Sequence, residues 1–267
     1  MAFVTVEKPG PHVSLVVMNR PERLNAMSFE TVVPLFEALQ QVAADNDTWV
    51  TVLTGAGRGF CSGLDLEDAG MPPGCNDIPM SRIAIRAMEF MAKLVPTMRA
   101  MPQPVIAAVN GPAYGGGMCL TLGADLRIAG ASATFRGAGI NNGLTGTELG
   151  VSWLLPRLVG AAAAWDVILT GREVDAAEAL RFGMVSRVVP DVELRAVALG
   201  LAQQLCEYSP HGLAMTKKVL WSNLETNSLE AAMDLENRNQ LLVRLTTQNL
   251  EEAITARKQK RTPHYED

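Results

Sequence analysis

The chain has 267 residues, 48% of them hydrophobic, a formal net charge of −5 and a pI near 5.3. That content supports one sizeable core and excludes a disordered chain. The acidic balance excludes a general nucleic-acid binder, because basic residues bunch only at Arg257, Lys258, Lys260 and Arg261. Four cysteines and three histidines show no metal-ligand spacing and no disulfide framework, so a reducing compartment fits. No stretch approaches ~18 uninterrupted apolar residues, and no charged segment with an apolar run behind it opens the chain. A cytoplasmic protein without membrane segments is the expectation.

Val4–Glu7 and Val13–Met18, parted by Pro9-Gly10-Pro11, predict an antiparallel hairpin. Ser28 predicts an N-cap for a helix through Ala44, with Val32, Leu35, Phe36 and Leu39 at helical spacing. A strand follows at 49–54, then a loop rich in glycine and proline over 68–79. Ile83 to Met98 has one helical period, ended by Pro102 and Pro104, and Val105–Val109 reads as a buried strand. Met80, Met88, Met91, Met98 and Met101 crowd this helix and suit either core filling or an adaptable apolar pocket. A helix after the triple glycine runs to about Gly123, and short strands are expected at Leu126–Ala129 and Thr134–Phe135. Val151–Leu158 reads as a further helix. The alternation argues for βαβ units. Residues 190–258 read as nearly continuous helix broken at Ser209-Pro210, with a soft boundary near 195.

Two turns carry chemistry. Asn110-Gly-Pro-Ala-Tyr-Gly-Gly-Gly-Met-Cys119 joins a strand to a helix start, where backbone N–H groups lack intrahelical acceptors. Glycine lets another group approach them closely. Gly59-Phe-Cys-Ser-Gly-Leu-Asp-Leu66 leads out of another buried strand and offers an N–H at Leu64. Two such donors on one oxygen would stabilise a developing oxyanion.

These turns, with Asn19-Arg-Pro-Glu-Arg-Leu-Asn-Ala-Met27, Thr170-Gly171-Arg172 and Ala177-Glu-Ala-Leu-Arg-Phe-Gly-Met-Val185, resemble the crotonase (enoyl-CoA hydratase/isomerase) superfamily over nearly the whole chain. The resemblance implies an α/β fold with a crotonase-like ββα-superhelix core at 1–194. It also implies a C-terminal helical oligomerisation region at 195–267, forming a homotrimer or a dimer of trimers. It makes the amides of Leu64 and Gly116 the oxyanion donors and an acyl-CoA thioester the substrate, with coenzyme A part of that substrate and no separate cofactor. Arg23, Ala26, Ser62, Asp65 and Leu66 become the expected CoA-binding positions. Read without the resemblance, Arg23 is a solvated loop charge and Asp65 an N-cap. The basic C-terminal cluster suits either a helix end or the phosphate end of CoA.

One departure stands out. The hydratases of this family carry two glutamates; here Cys119 holds the first position and Gly139 about the second. Cys119 reads as an apolar lining residue, and Asp125 as a turn-capping carboxylate. Before the helix at Val151, Thr147 or Glu148 matches the catalytic aspartate of the family's dienoyl-CoA isomerases and 4-chlorobenzoyl-CoA dehalogenases. Only Glu148 is ionisable. Glu148 therefore stands as the acid/base candidate, with a helix-dipole acid as its alternative role. Hydratase, isomerase and non-catalytic acyl-CoA binder all remain open on the sequence.

Overall fold

The hairpin expected at the start forms as β1 (Val4–Gly10) and β2 (Val13–Met18), in a computed structural model that describes residues 2–265. Pro9 lies inside β1, where the register shifts between Glu7 and Gly10, so the turn falls at Pro11-His12 rather than at Pro9-Gly10-Pro11. An edge strand tolerates that proline because its outer N–H groups need no partner.

Ser28 precedes α1 (Phe29–Ala43) and donates its N–H to Thr31 Oγ1 at 3.0 Å. After β3 (Val50–Gly55) come α2 (Met80–Met91) and α3 (Leu94–Ala100), not the single helix the periodicity predicts. Only Met91 of α2 is buried, whereas Leu94, Val95 and Met98 of α3 sit in the core. The break lets α3 turn inward. Met91, Met98 and Met101 are therefore core residues, and Met80 and Met88 are exposed.

β4 (Val105–Val109) leads to a two-residue strand, β5 (Ala113–Tyr114), then to α4 (Gly116–Gly123), β6 (Leu126–Gly130) and β7 (Thr134–Arg136). Next come α5 (Val151–Val159), α6 (Ala161–Thr170), β8 (Val174–Asp175), α7 (Ala176–Phe182) and β9 (Arg187–Val189). The C-terminal part is four helices, α8 (Leu194–Leu205), α9 (Pro210–Asn223), α10 (Leu229–Thr246) and α11 (Asn249–Gln259), with more breaks than Ser209-Pro210 alone.

The main sheet has the order β1-β2-β3-β4-β6-β9 and is parallel except for β1 against β2. The small sheet, β5-β7-β8, stands beside it. Alternate strand residues serve two cores. Leu53, Ala107 and Val109 pack with Val32 and Leu35 of α1, Leu94 of α3 and Leu120 of α4. Leu15, Val52 and Ile106 pack with Leu194, Ala198 and Ala202 of α8. This is the period-2 logic of a sheet covered on both faces.

Lys217 ties α9 to that core. Its ammonium donates to the carbonyls of Met98 (2.7 Å) and Gln103 (2.8 Å) and pairs with Asp125 at 2.9 Å. Asp125 also accepts from Val105 N–H (2.7 Å) and Trp221 Nε1–H (2.6 Å). Burial lowers the Lys217 pKa and the Asp125 charge opposes that shift. By contrast α10 buries no residue, and Leu229, Met233, Leu241 and Leu245 face outward. Among the described residues no helix is long and apolar enough to cross a membrane, and no three His, Cys, Asp or Glu gather as metal ligands.

Candidate active site

The two glycine turns meet because short bridges stitch them together. Tyr114 N–H donates to Cys61 carbonyl at 2.9 Å, and Cys61 pairs with Ala113. Gly63 adopts φ +86, and a β-carbon there would fall 2.8 Å from the Tyr114 carbonyl oxygen and 3.5 Å from Gly115 Cα. The residue before Leu64 thus touches the residue before Gly116. Leu64 is itself bridged to Met27: Met27 N–H donates to Gly63 (2.7 Å) and Asp65 N–H to Met27 (3.0 Å), an arrangement that leaves the Leu64 N–H out of the bridge. Gly116 opens α4, so its N–H has no intrahelical acceptor.

Gly116 has no room for a side chain. A β-carbon would meet Met27 Sδ at 2.5 Å and Leu149 Cδ1 at 3.1 Å. At Gly117 it would strike the Cys61 carbonyl at 2.1 Å. The triple glycine is therefore required by close approach of neighbouring chain, as well as by the φ of +50 at Gly115.

Glu148 completes the group. It lies just before α5 and is half-buried, and its Oε1 is 3.1 Å from where a β-carbon of Gly115 would stand. Among the described residues no group hydrogen-bonds or ion-pairs with this carboxylate, and burial alone raises its pKa. Its carbonyl is anchored by Val151 N–H (2.8 Å) and by the Cys119 thiol, 3.5 Å away. Thr147, the other residue the sequence leaves open, is exposed.

Cys119 is buried and its pKa is pushed well up, first by desolvation and then by the Glu148 charge. Cys61 is pushed up to about 12, again chiefly by burial. Burial thus favours the neutral thiol at both positions. Gly139 packs against the chain: a β-carbon there would lie 2.1 Å from the Thr145 carbonyl. The loop is closed on itself at that point.

The positions expected to hold CoA divide. Asp65 is fully buried at its side chain, where Arg20 (2.9 Å) and Arg23 (2.7 Å) pair with it and the N–H groups of Glu67 and Asp68 donate to it. The Arg23 hydrogen bond is the main cause that holds its pKa down to about 2. Arg23 also pairs with Glu67 at 2.6 Å. Ser62 donates its N–H to Leu24 and its hydroxyl to the Arg23 carbonyl. Ala26 is buried, and its carbonyl accepts the Thr31 hydroxyl. Leu66 is 67% exposed.

Three contributors were not read from the sequence. Arg20 is the second partner of Asp65. Asn25 holds a left-handed turn (φ +56) by accepting from Arg20 N–H and donating to Ala56 and Gly59. Met27 walls Gly116. Asn before Ala-Met was the one legible signal, since asparagine is enriched in left-handed backbone. An apolar cavity of about 360 Å³ beneath α9, lined by Leu122, Leu154, Leu220 and Trp221, touches none of Leu64, Gly116 and Glu148.

Two glycine turns held together beside a half-buried carboxylate form one candidate site of a crotonase-like α/β fold. The sequence model of enoyl-CoA hydratase/isomerase matches residues 10–267, and the chain belongs to the enoyl-CoA hydratase/isomerase family. It is 50% identical to a probable enoyl-CoA hydratase of Mycobacterium bovis, over 100% of this chain and 94% of the relative. It is 38% identical to the 1,2-epoxyphenylacetyl-CoA isomerase of Escherichia coli, over 95% and 94%. The fold matches a probable enoyl-CoA hydratase/isomerase structure from Mycobacterium abscessus with a TM-score of 0.94 and 47% identity, covering 99% and 98%. A monofunctional enoyl CoA isomerase from M. smegmatis matches with a TM-score of 0.75 and 45% identity, covering 87% and 99%. The crotonase fold expected from the motifs is the fold observed.

Proposed function

We propose that the protein is an enoyl-CoA double-bond isomerase in which Glu148 is the single proton-transfer group. The thioester oxygen of a 3-enoyl-CoA sits between the amides of Leu64 and Gly116. The Glu148 carboxylate takes a proton from Cα, and the electron pair moves into a dienolate whose negative oxygen the two amides stabilise. The same carboxyl returns the proton at Cγ, giving the conjugated 2-enoyl-CoA. Coenzyme A is part of the substrate, and no further cofactor enters the step.

The observation that carries this reading is the lone Glu148 carboxylate against Gly115. Hydration needs a second group to activate water, and the two positions where the family's hydratases keep glutamates hold a neutral thiol and a glycine closed by Thr145. The hydratase reading is supported by the names of close relatives. Purified protein given 3-hexenoyl-CoA and crotonyl-CoA in parallel separates the readings. Conjugation of the first without hydration of the second supports the isomerase. Hydration that survives Glu148→Gln overturns it, and binding without either reaction favours a non-catalytic acyl-CoA binder.

The CoA moiety is assigned to the strand–turn edge formed by Arg23, Ala26, Ser62, Asp65 and Leu66. Within it Arg23 and Leu66 offer exposed surface, and Asp65 orients Arg23 from below. Assembly as a homotrimer or a dimer of trimers in the cytoplasm belongs to the same reading, supported by the apolar side chains that α10 leaves exposed.

A further inference from the structure

Glu148 and Leu149 are consecutive, yet both face the triple glycine. Glu148 Oε1 stands over Gly115 and Leu149 Cδ1 over Gly116, each 3.1 Å from the place of the missing β-carbon. In an extended chain neighbouring side chains point to opposite sides. Here the backbone turns between them: Leu149 adopts φ +45 and Gly150 φ +89. The turn is fixed on both flanks. Glu148 carbonyl accepts Val151 N–H, and Gly150 carbonyl accepts Trp153 (3.0 Å) and Leu154 (2.9 Å) N–H groups.

A left-handed leucine is unusual, since glycine, asparagine and aspartate are the residues that visit this region readily. Glycine at 149 would take the same backbone without steric cost. The backbone therefore does not explain the leucine; its side chain does. That side chain is half-buried against the core and fills the space above Gly116 beside the carboxylate.

We propose that Leu149 is a positioning residue: its left-handed backbone and its side chain wedged over Gly116 hold the Glu148 carboxylate against Gly115 and away from bulk water. This rests on the role assigned to Glu148 above. Strain held beside a reacting group is one way a site is kept pre-organised. It also assigns a second task to the wedge. By excluding water it helps keep the carboxylate a competent base near neutral pH.

The full-length chain is assayed with 3-hexenoyl-CoA as wild type, Leu149→Gly, Leu149→Ala and Leu149→Met. In the Gly and Ala variants kcat is expected to fall by at least about tenfold, with KM changing less than about threefold. The acid limb of their kcat–pH profile moves to lower pH, because solvent returns to the carboxylate. Both variants lose the side chain's packing, but the thermal midpoint of Leu149→Gly falls less than that of Leu149→Ala, since only glycine relieves the strain of the left-handed backbone. Leu149→Met, which restores an apolar wedge, recovers the wild-type profile. An unmoved acid limb with kcat within about twofold of wild type overturns the proposal, as does a kcat loss that only tracks a lowered thermal midpoint. Glu148→Gln keeps the two layers apart. If it is inactive while the Leu149 variants behave as wild type, only the positioning role fails; if it is active, the role of Glu148 itself fails.

Discussion

Glu148 and Gly115 lie against each other: Oε1 stands 3.1 Å from where a β-carbon on Gly115 would sit, so a side chain there would crowd the carboxylate. Four expectations test this arrangement and the frame around it.

Burial raises the Glu148 pKa above its ordinary value. Glutamate in an unfolded chain titrates near ~4.3, so between that value and the raised native one the folded state holds the extra proton. Stability then falls as pH rises through this window, and ionised Glu148 destabilises the fold at neutral pH. Glu148→Gln is expected to abolish turnover while raising the thermal midpoint at pH ~7, with the gain gone below pH ~4. Calorimetry at the two pH values is the check. A gain of equal size at both would show that it does not come from the charge.

Gly63→Ala places a β-carbon 2.8 Å from the Tyr114 carbonyl on a backbone with φ +86. Backbone atoms cannot step aside as a flexible side chain would, so the two turns must part. The expected cost is on the order of 1–3 kcal/mol in urea unfolding. Turnover should fall by far more than stability does, because the proposed oxyanion site needs the Leu64 and Gly116 amides aligned on one oxygen. Equal, small losses in both would count against the paired-turn geometry.

Asp65 holds Arg20 and Arg23 from a fully buried position, with its pKa lowered to about 2. Its contribution is complete above the unfolded value near ~3.9 and is lost as pH falls through about 2. Asp65→Asn takes the shared carboxylate from Arg20 and Arg23, with Glu67 still paired to Arg23, and a loss of about 2 kcal/mol is expected at neutral pH. The difference from wild type should shrink steadily on acidification toward pH ~2, as followed by urea midpoints.

Lys217→Met strips the carbonyls of Met98 and Gln103 of their donor and takes the cation from Asp125, which keeps only Val105 N–H and Trp221 Nε1–H. Unpaired buried groups of this kind cost about 3 kcal/mol. Amide exchange should accelerate first in α9, whose Trp221 shares Asp125 with the lysine. Uniform acceleration across the main sheet would mean that the lysine stabilises the whole core rather than the docking of one helix.

Much of this molecule is readable from residues whose local chemistry and tertiary role agree. Ser28 both signals and forms a helix start, and the apolar runs at 13–18, 50–53 and 105–109 are strands buried on both faces. The failures share a cause. β5, β8 and β9 have two, two and three residues, too short for a period, and they exist only because distant strands pair with them. The split between α2 and α3 follows from one half being drawn into the core, which an unbroken helical pattern does not encode. At the site, the glycine turns and Glu148 are legible because close approach and ionisable chemistry leave marks in residue type. Leu149 is not, since nothing about a leucine announces a left-handed backbone. The seat of Asp65 beneath two arginines is equally silent, because the partners lie 42 and 45 positions away in the chain.

Gly139 meeting the Thr145 carbonyl has a consequence for redesign. A carboxylate grafted at 139 alone would drive its β-carbon into backbone, so seating a second acid/base group there requires residues 140–147 to be re-spaced in the same variant.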